Sequence, residues 1–426
     1  MKKSVKHIAL GLGLVAAISV GGSAVAAPAG SLLSQVVAAV TNLFADPSLA
    51  EKADAIALAP LPKLGRALFN DTDLSEPKGQ SCASCHAVDF GFTDPNQNEP
   101  TSRGAVKSLS GPRNTPPAGY ADFSPPLSFD PVSGLWTGGQ FWDGRASTLE
   151  EQAAGPFLGG VEMHNPSKQA VVDKVAKSAY AKNFQKQFGS ATVNAFADVN
   201  LAYQNITMAI AAYERSAAFK RFNSKYDAYL LGTAKLSAAE ARGLALYENP
   251  AKGNCAACHV SAPQRDPVTN EITQLPLFTD YSYDNLGVPK NPANRWYSMP
   301  ASINPDGANF VDLGLGATVN EQTQLGKFKV PSLRNIARTA PYMHNGYFTS
   351  LRSVVDFYNT AGTKPLCAGG DKVSEAAALK GKCWPAPEYA ATINRTELGN
   401  LGLTAQDVDD IVTFMGTLTD GYTGTR

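Results

Sequence analysis

A five-residue pattern, Cys-x-x-Cys-His, occurs twice in the chain and dictates what its fold has to enclose. The first copy ends at His86 and the second at His259. Two thiols at this spacing can add to the two vinyl groups of one porphyrin, and the adjacent imidazole then reaches the iron. A single copy would also suit a redox-active dithiol, but two copies predict two covalently bound haem c groups. The predicted attachment residues are Cys82, Cys85 and His86 for one haem and Cys255, Cys258 and His259 for the other.

Similar segments precede the two copies, which indicates a duplicated unit. Residues 64–69 read LGRALF and residues 242–247 read RGLALY. Their apolar periodicity predicts a helix that runs into each motif, and Ser237 is a suitable N-cap for the second helix. Residues 197–220 carry the strongest helical pattern in the chain, without Gly or Pro. The predicted apolar face of that helix contains Leu201, Ile206, Ile210 and Tyr213.

These patterns predict a mainly α fold of two cytochrome c-like helical domains, with one covalently bound haem c in each. We expect the first domain over residues 27–225 and the second over residues 226–426. Residues 94–131 and 260–325 are rich in Pro, Gly and Asn and have no sustained period. Such segments are typical of long ordered loops, which here would cover the prosthetic groups. Strand signal is slight throughout.

Residues 1–26 have the layout of a secretory signal peptide. Three lysines precede an apolar run over residues 8–20, and Ala24-Val25-Ala26 forms a suitable cleavage site. A membrane anchor is the alternative, but the run is shorter than the roughly 20 residues that a span needs. We therefore expect a periplasmic protein without a stable membrane span. Cleavage would remove three lysines and no acidic residue, so the net charge would change from 0 to −3, which argues against a nucleic-acid partner.

Two cysteines, Cys367 and Cys383, lie outside the haem motifs and flank a segment rich in Gly and Lys. In an oxidising compartment this pair predicts a disulfide, which typically stabilises a fold by about 2 to 4 kcal/mol. The alternative, a thiol ligand to iron, would need one of them to displace the tyrosine considered below.

Histidine is scarce in this chain, which contains five. One lies in the predicted signal peptide and two belong to the haem motifs, so only His164 and His344 remain as candidate distal imidazoles. The sixth ligands of the two irons must therefore be sparse or unusual. An iron with an open sixth position can bind peroxide, whereas a six-coordinate iron mostly transfers electrons.

Beyond the haem motifs, the chain resembles the bacterial di-haem cytochrome c peroxidase and MauG family from about residue 61 to its C-terminus. Residues 141–145 (FWDGR), together with residues 161–163 (VEM), are similar to the family segment that connects the two haems and lines the distal pocket. Residues 331–335 (PSLRN) and 339–346 (TAPYMHNG) are similar to its second signature.

The resemblance implies roles for four residues around the haem held by His86. Glu162 would take the first proton of peroxide and return it to the leaving oxygen. Gln152 and Pro156 would shape the pocket, and Trp142 would carry electrons or a hole between the two porphyrins. From the residues alone, Glu162 could instead be a surface carboxylate and Trp142 a core aromatic.

The resemblance also implies one Ca²⁺ that couples the two haem environments. Asn114 matches the calcium-binding asparagine of the family, and Thr339 and Pro341 match two backbone carbonyl donors. Oxygen ligands of this kind suit Ca²⁺. An asparagine before Thr-Pro is also a common turn former, which is the alternative interpretation of Asn114. Three further residues are expected near the haem propionates, namely His344, Arg334 and Arg145.

The chain departs from typical peroxidases at the second haem. Tyr358 stands 14 residues after His344, where typical members carry methionine and MauG-like members carry tyrosine. A phenolate stabilises high oxidation states of iron, so Tyr358 is predicted to ligate the second iron, with a helix-packing tyrosine as the alternative. No histidine lies between His86 and His164. In many members of the family a histidine after the first motif blocks the first haem until the second haem is reduced. The resemblance therefore implies that the first haem is open here without reductive activation, as in MauG-like members.

A further departure concerns a protein substrate. The tryptophan that MauG presents just before its second haem motif is replaced here by Gly253-Asn254. Another residue would have to meet such a substrate. Trp296 is a candidate, although it could instead pack beside a haem.

Together these features predict a peroxidase that uses hydrogen peroxide as oxidant. In the MauG-like hypothesis, oxidising equivalents are shared between two haems through Trp142 and delivered to a periplasmic redox or substrate protein. The alternative is a cytochrome c peroxidase that detoxifies peroxide with electrons from a small cytochrome c or cupredoxin. A third hypothesis is a non-catalytic di-haem electron carrier in which both irons are six-coordinate.

Overall fold

The computed structural model describes residues 59–424, so the predicted signal peptide lies outside the described residues. Over this range the chain is mainly α-helical, as predicted, with few short strands. The α-helices are α1 (Pro60–Asn70), α2 (Cys82–Cys85), α3 (Leu149–Leu158), α4 (Lys168–Ala176), α5 (Ala181–Phe188), α6 (Val199–Glu214), α7 (Lys225–Leu230), α8 (Ala238–Glu248), α9 (Leu315–Val319), α10 (Leu351–Thr360), α11 (Glu375–Gly381) and α12 (Ala405–Gly416).

The remaining regular elements are short. The strands pair as three antiparallel ribbons, β1 with β2, β3 with β4 and β5 with β6. They are β1 (Ser128–Asp130), β2 (Leu135–Thr137), β3 (Gln264–Arg265), β4 (Ile272–Gln274), β5 (Tyr283–Asp284) and β6 (Phe328–Lys329). Single 3₁₀ turns cover Thr72–Leu74, Val88–Phe90, Ala121–Phe123, Ala217–Phe219, Cys255–Ala257, Arg295–Ser298, Gly307–Asn309, Gln322–Gln324, Ile336–Arg338 and Gly370–Lys372.

Buried apolar side chains form two clusters, one around each haem motif. The first contains Leu68, Phe157 and Ile206 and draws on α1, α3, α4 and α6. The second contains Tyr247 and Phe414 and draws on α8, α10 and α12. The domain division at residues 225 and 226 stays a prediction.

The duplicated segments pack in the same way in both halves. Gly65 in α1 lies against α6, where a Cβ at residue 65 would come within 1.8 Å of the Ala209 carbonyl oxygen. Gly243 occupies the matching position in α8 and lies against α12, where a Cβ would come within 2.0 Å of the Asp410 carbonyl oxygen. Because any side chain would separate the helices, glycine at this position of the repeat sets how closely each motif-bearing helix packs.

The helix predicted over residues 197–220 is shorter in the structure. It runs from Val199 to Glu214, after Asp198, whose side chain accepts hydrogen bonds from two backbone N–H groups of the first turn. Ile206 and Ile210 are buried, but Leu201 is 53% exposed, so it does not belong to the same buried face as was predicted. At about 100° per residue, Leu201 projects from the side of the helix opposite to these isoleucines.

Three local predictions are confirmed. Ser237 caps α8, since its side chain accepts a hydrogen bond from the Glu240 N–H and Glu240 reciprocates at the Ser237 N–H. Cys367 and Cys383 form a disulfide. Residues 260–325 form mostly irregular backbone as predicted, although this segment also contains α9. Within residues 59–424, no helix is both long and apolar enough to cross a bilayer.

Candidate active site

The first cavity is the space lined by the first Cys-x-x-Cys-His motif. The cavity has a volume of about 430 Å³. By the same measure, a cavity that holds one water molecule needs only roughly 10 to 15 Å³. A group much larger than a few waters therefore fits inside. The structure brings together here Cys82, Cys85, His86, Trp142, Arg145, Gln152, Pro156 and Glu162.

The second cavity is lined by the second motif and offers about 190 Å³ by the same measure. Its lining is mostly apolar, as suits a porphyrin. The predicted site residues that line it are Cys255, Cys258, His259, Asn114, Thr339, Pro341, His344 and Tyr358.

The two cavities share a wall, and Trp142 lies in it. The indole Nε1–H of Trp142 donates to the Asn114 carbonyl oxygen at 2.9 Å, and the Trp142 carbonyl oxygen accepts from the Lys329 N–H at 2.8 Å. These two bonds fix the indole and its backbone between the cavities. The residues that line both are Asn114, Thr115, Pro117, Trp142, Lys329, Val330, Pro331 and Ser332.

Both motif histidines are held in the tautomer that suits an iron ligand. The Nδ1 atom of His86 lies 2.9 Å from the Phe92 carbonyl oxygen, and Nδ1 of His259 lies 2.9 Å from the Phe278 carbonyl oxygen. A carbonyl only accepts, so each Nδ1 carries the proton and each Nε2 keeps a free lone pair. Burial lowers the pKa of both rings, which favours the neutral form.

The two carbonyl acceptors were missed by sequence reasoning. Phe92 and Phe278 both adopt left-handed backbone conformations, with φ of 62° and 54°, which are costly for bulky residues. The same strained conformation in both halves indicates that orienting the histidine is worth that cost. A Phe-Thr dipeptide after each motif, at residues 92–93 and 278–279, was the available signal.

None of the four motif cysteines forms a disulfide within the described residues. Burial raises the pKa of Cys85, Cys255 and Cys258 to about 12, so these thiols stay neutral. In the described part of the chain, no three His, Cys, Asp or Glu side chains cluster in a way that could hold a metal ion. Neutral, unpaired thiols beside an iron-competent imidazole fit a covalently attached haem in each cavity.

Glu162 enters the first cavity from the turn after α3. Its backbone is held by hydrogen bonds from the Ala105 N–H to the Glu162 carbonyl oxygen at 2.7 Å and from the Glu162 N–H to the Gly159 carbonyl oxygen at 3.0 Å. A Cβ at Gly159 would come within 2.2 Å of the Glu162 carboxylate, so glycine leaves room for it. Burial raises the pKa of Glu162, and the charge of Arg145 partly opposes this shift.

A chain of ion pairs runs through the structure between the cavities. Asp312, which lines the second cavity, accepts two hydrogen bonds from Arg113 at 2.7 Å each. Arg113 also contacts Asp143 at 2.6 Å, and Asp143 pairs with Arg145 at 2.9 Å. Arg145 in turn stacks on the Phe141 ring. Since Trp142 lies between Phe141 and Asp143 along the chain, the network fixes the position of Trp142 as well as that of the arginine beside Glu162.

Lys329 is a second residue that sequence reasoning missed. Its ammonium donates to the Gly139 carbonyl oxygen at 2.5 Å and lies 3.4 Å from the Ser124 hydroxyl. Burial lowers the pKa of Lys329 to about 8, while the charge of Asp143 opposes that shift. Because Lys329 lines both cavities, it can pair with a carboxylate of a group bound in either one.

Some predicted or considered residues do not reach the cavities. Arg334 is buried elsewhere, where it forms a two-point ion pair with Asp227 and donates to the Pro276 carbonyl oxygen. His164 is exposed and its Nδ1 bonds the Gly160 carbonyl oxygen. Trp296 packs edge-on against a phenylalanine and lines neither cavity.

His344 and Tyr358 both lie at the second cavity. The His344 ring stacks on Phe328 at 3.6 Å, and its Nε2 is 3.7 Å from the Glu388 carboxylate. The Tyr358 hydroxyl makes no hydrogen bond to any residue in the range 59–424. Burial raises the pKa of Tyr358, so this phenol stays protonated unless a cation is bound beside it.

Comparisons with known proteins agree with this geometry. Residues 60–235 match the family described as Di-haem cytochrome c peroxidase. The chain is 38% identical to the methylamine utilization protein MauG of Paracoccus denitrificans over 368 residues, which is 84% of this chain and 88% of that protein. It is 32% identical to the cytochrome c551 peroxidase of Pseudomonas aeruginosa over 300 residues, 70% of this chain and 71% of that protein. The diheme peroxidase BthA from Burkholderia thailandensis superposes with a TM-score of 0.68 at 32% identity, covering 84% of this chain and 86% of that one.

Proposed function

This chain belongs to the di-haem cytochrome c peroxidase and MauG family, and we propose that it is a MauG-like periplasmic peroxidase that delivers oxidising equivalents to a protein partner. As a member of this family it is an oxidoreductase that acts on peroxide and uses haem. The observation that carries the proposal is the shared wall, in which Trp142 faces both a cavity that contains Glu162 and a cavity that contains Tyr358.

In each cavity we propose one haem c, held by the two cysteines and the histidine of the motif. Bound haem would supply an iron that accepts peroxide and stores oxidising equivalents. In the first cavity, His86 is the sole histidine that lines the wall within the described residues. With no second imidazole among the described lining residues, this site would be open to peroxide. In the second cavity, the unbonded hydroxyl of Tyr358 is the proposed oxygen ligand.

Glu162 is the proposed general acid and base. A carboxylate held in a confined cavity can take a proton from one oxygen of H₂O₂ and return it to the other oxygen as the O–O bond breaks. The overall reduction consumes two electrons and two protons and yields two water molecules. Arg145 favours the carboxylate form that accepts the first proton. Gln152 and Pro156, which project into the same space from α3, limit where peroxide can lie.

Trp142 is the proposed relay between the cavities. An indole in the shared wall shortens the distance over which an electron must tunnel in a single step. The hydrogen bond from Trp142 to Asn114 orients the ring, and Lys329 holds the Trp142 backbone. The charge of Lys329 and the side chain of His344 are suited to contact haem carboxylates, whereas Arg334 is engaged by Asp227 and is left out of the proposed site.

A cytochrome c peroxidase that detoxifies H₂O₂ is the second candidate. The chain lacks a tryptophan just before its second motif, where Gly253 and Asn254 stand, and its similarity to a cytochrome c551 peroxidase is substantial. Tyr358 favours the MauG-like function, because an anionic oxygen ligand stabilises an oxidised iron and slows its return to the resting state.

The test uses the purified holoprotein with both haems. We expect mass spectrometry to show two tethered porphyrins and the oxidised spectrum to show one five-coordinate and one six-coordinate iron. Stopped-flow mixing with H₂O₂ should produce an oxidised protein that persists and turns over slowly with reduced small cytochrome c. Rapid turnover with that cytochrome would establish the second candidate instead. Two six-coordinate irons that do not react with peroxide would leave only an electron carrier.

A Ca²⁺ site is proposed beside the shared wall. The Asn114 side-chain nitrogen donates to the Pro100 carbonyl oxygen at 3.0 Å, so its side-chain oxygen is turned the other way. Thr339 and Pro341 line the same cavity as Asn114, and their carbonyl oxygens are the other proposed protein ligands. Amide and carbonyl oxygens, completed by water, suit Ca²⁺ better than Mg²⁺, which demands a tighter octahedral site.

Removing Ca²⁺ with EGTA should slow electron transfer between the haems, because Asn114 also accepts the indole hydrogen bond of Trp142. Added Ca²⁺ should restore the rate and Mg²⁺ should not. Asn114→Ala should weaken Ca²⁺ binding by about 10- to 100-fold, as measured by calorimetry. Asn309→Ala, at a site that lines neither cavity, is the control. A chelated protein with unchanged spectra and rates would contradict the proposed coupling.

The periplasmic location and the two-domain division also belong to this proposal. The disulfide between Cys367 and Cys383 supports an oxidising compartment, in which such bonds form and persist. Each haem motif lies beside its own apolar cluster, which supports one haem per domain.

A further inference from the structure

Glu214 is a buried carboxyl group for which the mechanism above has no use. It is the last residue of α6, it is 6% exposed and it lines the first cavity. Its Oε2 atom has no hydrogen-bond partner among the described residues. A buried polar atom without a partner is costly. It therefore calls for an explanation, such as a redox or catalytic role of that atom.

Burial is the main cause of the raised pKa of Glu214, and the charged groups around it act in both directions. Arg215, the next residue, favours the carboxylate, but its guanidinium is bonded to Glu150 of α3 at 2.6 and 3.0 Å. Glu150 and Asp122 both oppose ionisation of Glu214, and Asp122 is itself paired with Lys220. With burial as the largest cause, the pKa of Glu214 rises to about 8.

Glu214 also lies beside the attachment point of the first haem. Its charge raises the pKa of the Cys82 thiol more than the neighbouring Cys85 does. If Cys82 is bonded to a vinyl group, Glu214 would lie near the vinyl edge of the porphyrin. A haem carboxylate is attached at the opposite edge, so pairing with a propionate does not explain this position.

We propose that Glu214 exchanges a proton with solvent when the iron of the first cavity changes oxidation state, an inference that rests on the proposed function. An electron that reaches the bound haem from a reduced small redox protein or from an electrode would be matched by one proton from solvent, which would bind the carboxylate of Glu214. When the electron leaves, the proton leaves with it. Loss of one positive charge at the iron favours the neutral acid, and protonation of the acid favours the reduced iron by the same free energy.

The test is spectroelectrochemistry of the holoprotein at a series of pH values. Near pH 8, we expect the ratio of reduced to oxidised first haem at fixed potential to change up to tenfold per pH unit. This is a slope of up to 59 mV per unit for a one-electron couple. Glu214→Gln should abolish the slope, because an amide does not titrate in this range. A slope that survives in Glu214→Gln comes from another group and overturns the proposal.

Two further variants keep the test decisive if Glu214→Gln fails to fold. Glu214→Asp should keep the slope and displace it along the pH axis. Glu150→Gln should displace it to lower pH, since this change removes a negative charge and releases Arg215 toward Glu214. A wild-type potential that does not vary with pH around 8 also overturns the proposal. The proposed function fails separately, through missing haem or the absence of any reaction with peroxide.

Discussion

Replacing Glu162 with glutamine should slow the reaction of the holoprotein with H₂O₂ by about 10²- to 10⁴-fold. The amide keeps the volume of the side chain, so the cavity retains its shape, but it cannot take a proton from peroxide. The backbone bonds to Ala105 and Gly159 remain, so the side chain should stay in place. Stopped-flow mixing at several peroxide concentrations measures the second-order rate constant directly.

The pH dependence distinguishes this role from a purely steric one. Glu162 must be ionised to accept the first proton, and burial raises its pKa above that of an ordinary glutamate. The wild-type rate should therefore fall as the pH decreases through this raised pKa. Glu162→Gln should be slow at every pH and lack this fall. The control is Glu151→Gln, because Glu151 is an exposed glutamate of α3 that does not line the cavity. This variant should react at the wild-type rate. A glutamine variant that reacts as fast as wild type would assign the proton transfer to another group.

The local parts of the site were predictable because each of them depends on a few residues that are close together in the sequence. Spacing within Cys-x-x-Cys-His fixes which imidazole lies beside the thiols, and Ser237 with Glu240 is a capping pair separated by three residues. The glycine of each repeat was visible as Gly65 and Gly243. The function of these glycines in helix packing was not visible in the sequence. It depends on contacts with α6 and α12, which lie far away along the chain.

The residues that were missed or misplaced depend on distant partners. Lys329 reaches the shared wall because β6 lies beside Trp142, and nothing near residue 329 indicates this contact. Glu214 looks like an ordinary helix-end carboxylate in sequence, and its burial follows from packing around the first cavity. Arg334 was expected near a propionate, but Asp227 lies 107 residues earlier and holds it in a buried pair. Family signatures identify such residues without saying which way each side chain points.

The second large effect is expected at Tyr358. Residues 351, 354, 355 and 358 of α10 all line the second cavity, so this helix presents one face to it. Four tyrosines line that cavity, and two of them have hydroxyls that donate to carbonyl oxygens, Tyr247 to His259 and Tyr342 to Ile336. The hydroxyls of the remaining two, Tyr358 and Tyr389, make no hydrogen bond within residues 59–424, and burial raises the pKa of Tyr358.

Tyr358→Met should raise the reduction potential of the second haem by a few hundred millivolts, since axial ligands set haem potentials over a range of about 0.8 V. A thioether is neutral and soft, so it stabilises reduced iron, whereas a phenolate is anionic and hard and stabilises oxidised iron. The peroxide-oxidised protein should accordingly decay faster. Potentiometric titration gives the first result, and the decay of the spectrum after one equivalent of H₂O₂ gives the second.

Tyr389→Met is the matched control, because Tyr389 lines the same cavity and its hydroxyl also makes no hydrogen bond within residues 59–424. If Tyr358 is the ligand, only Tyr358→Met should change the potential. If Tyr389→Met changes it instead, the wrong tyrosine has been assigned although the oxygen ligand remains. If neither variant changes the potential or the lifetime, Tyr358 packs the helix, and the argument for a MauG-like function loses its support because it was drawn from an oxygen ligand at the second iron.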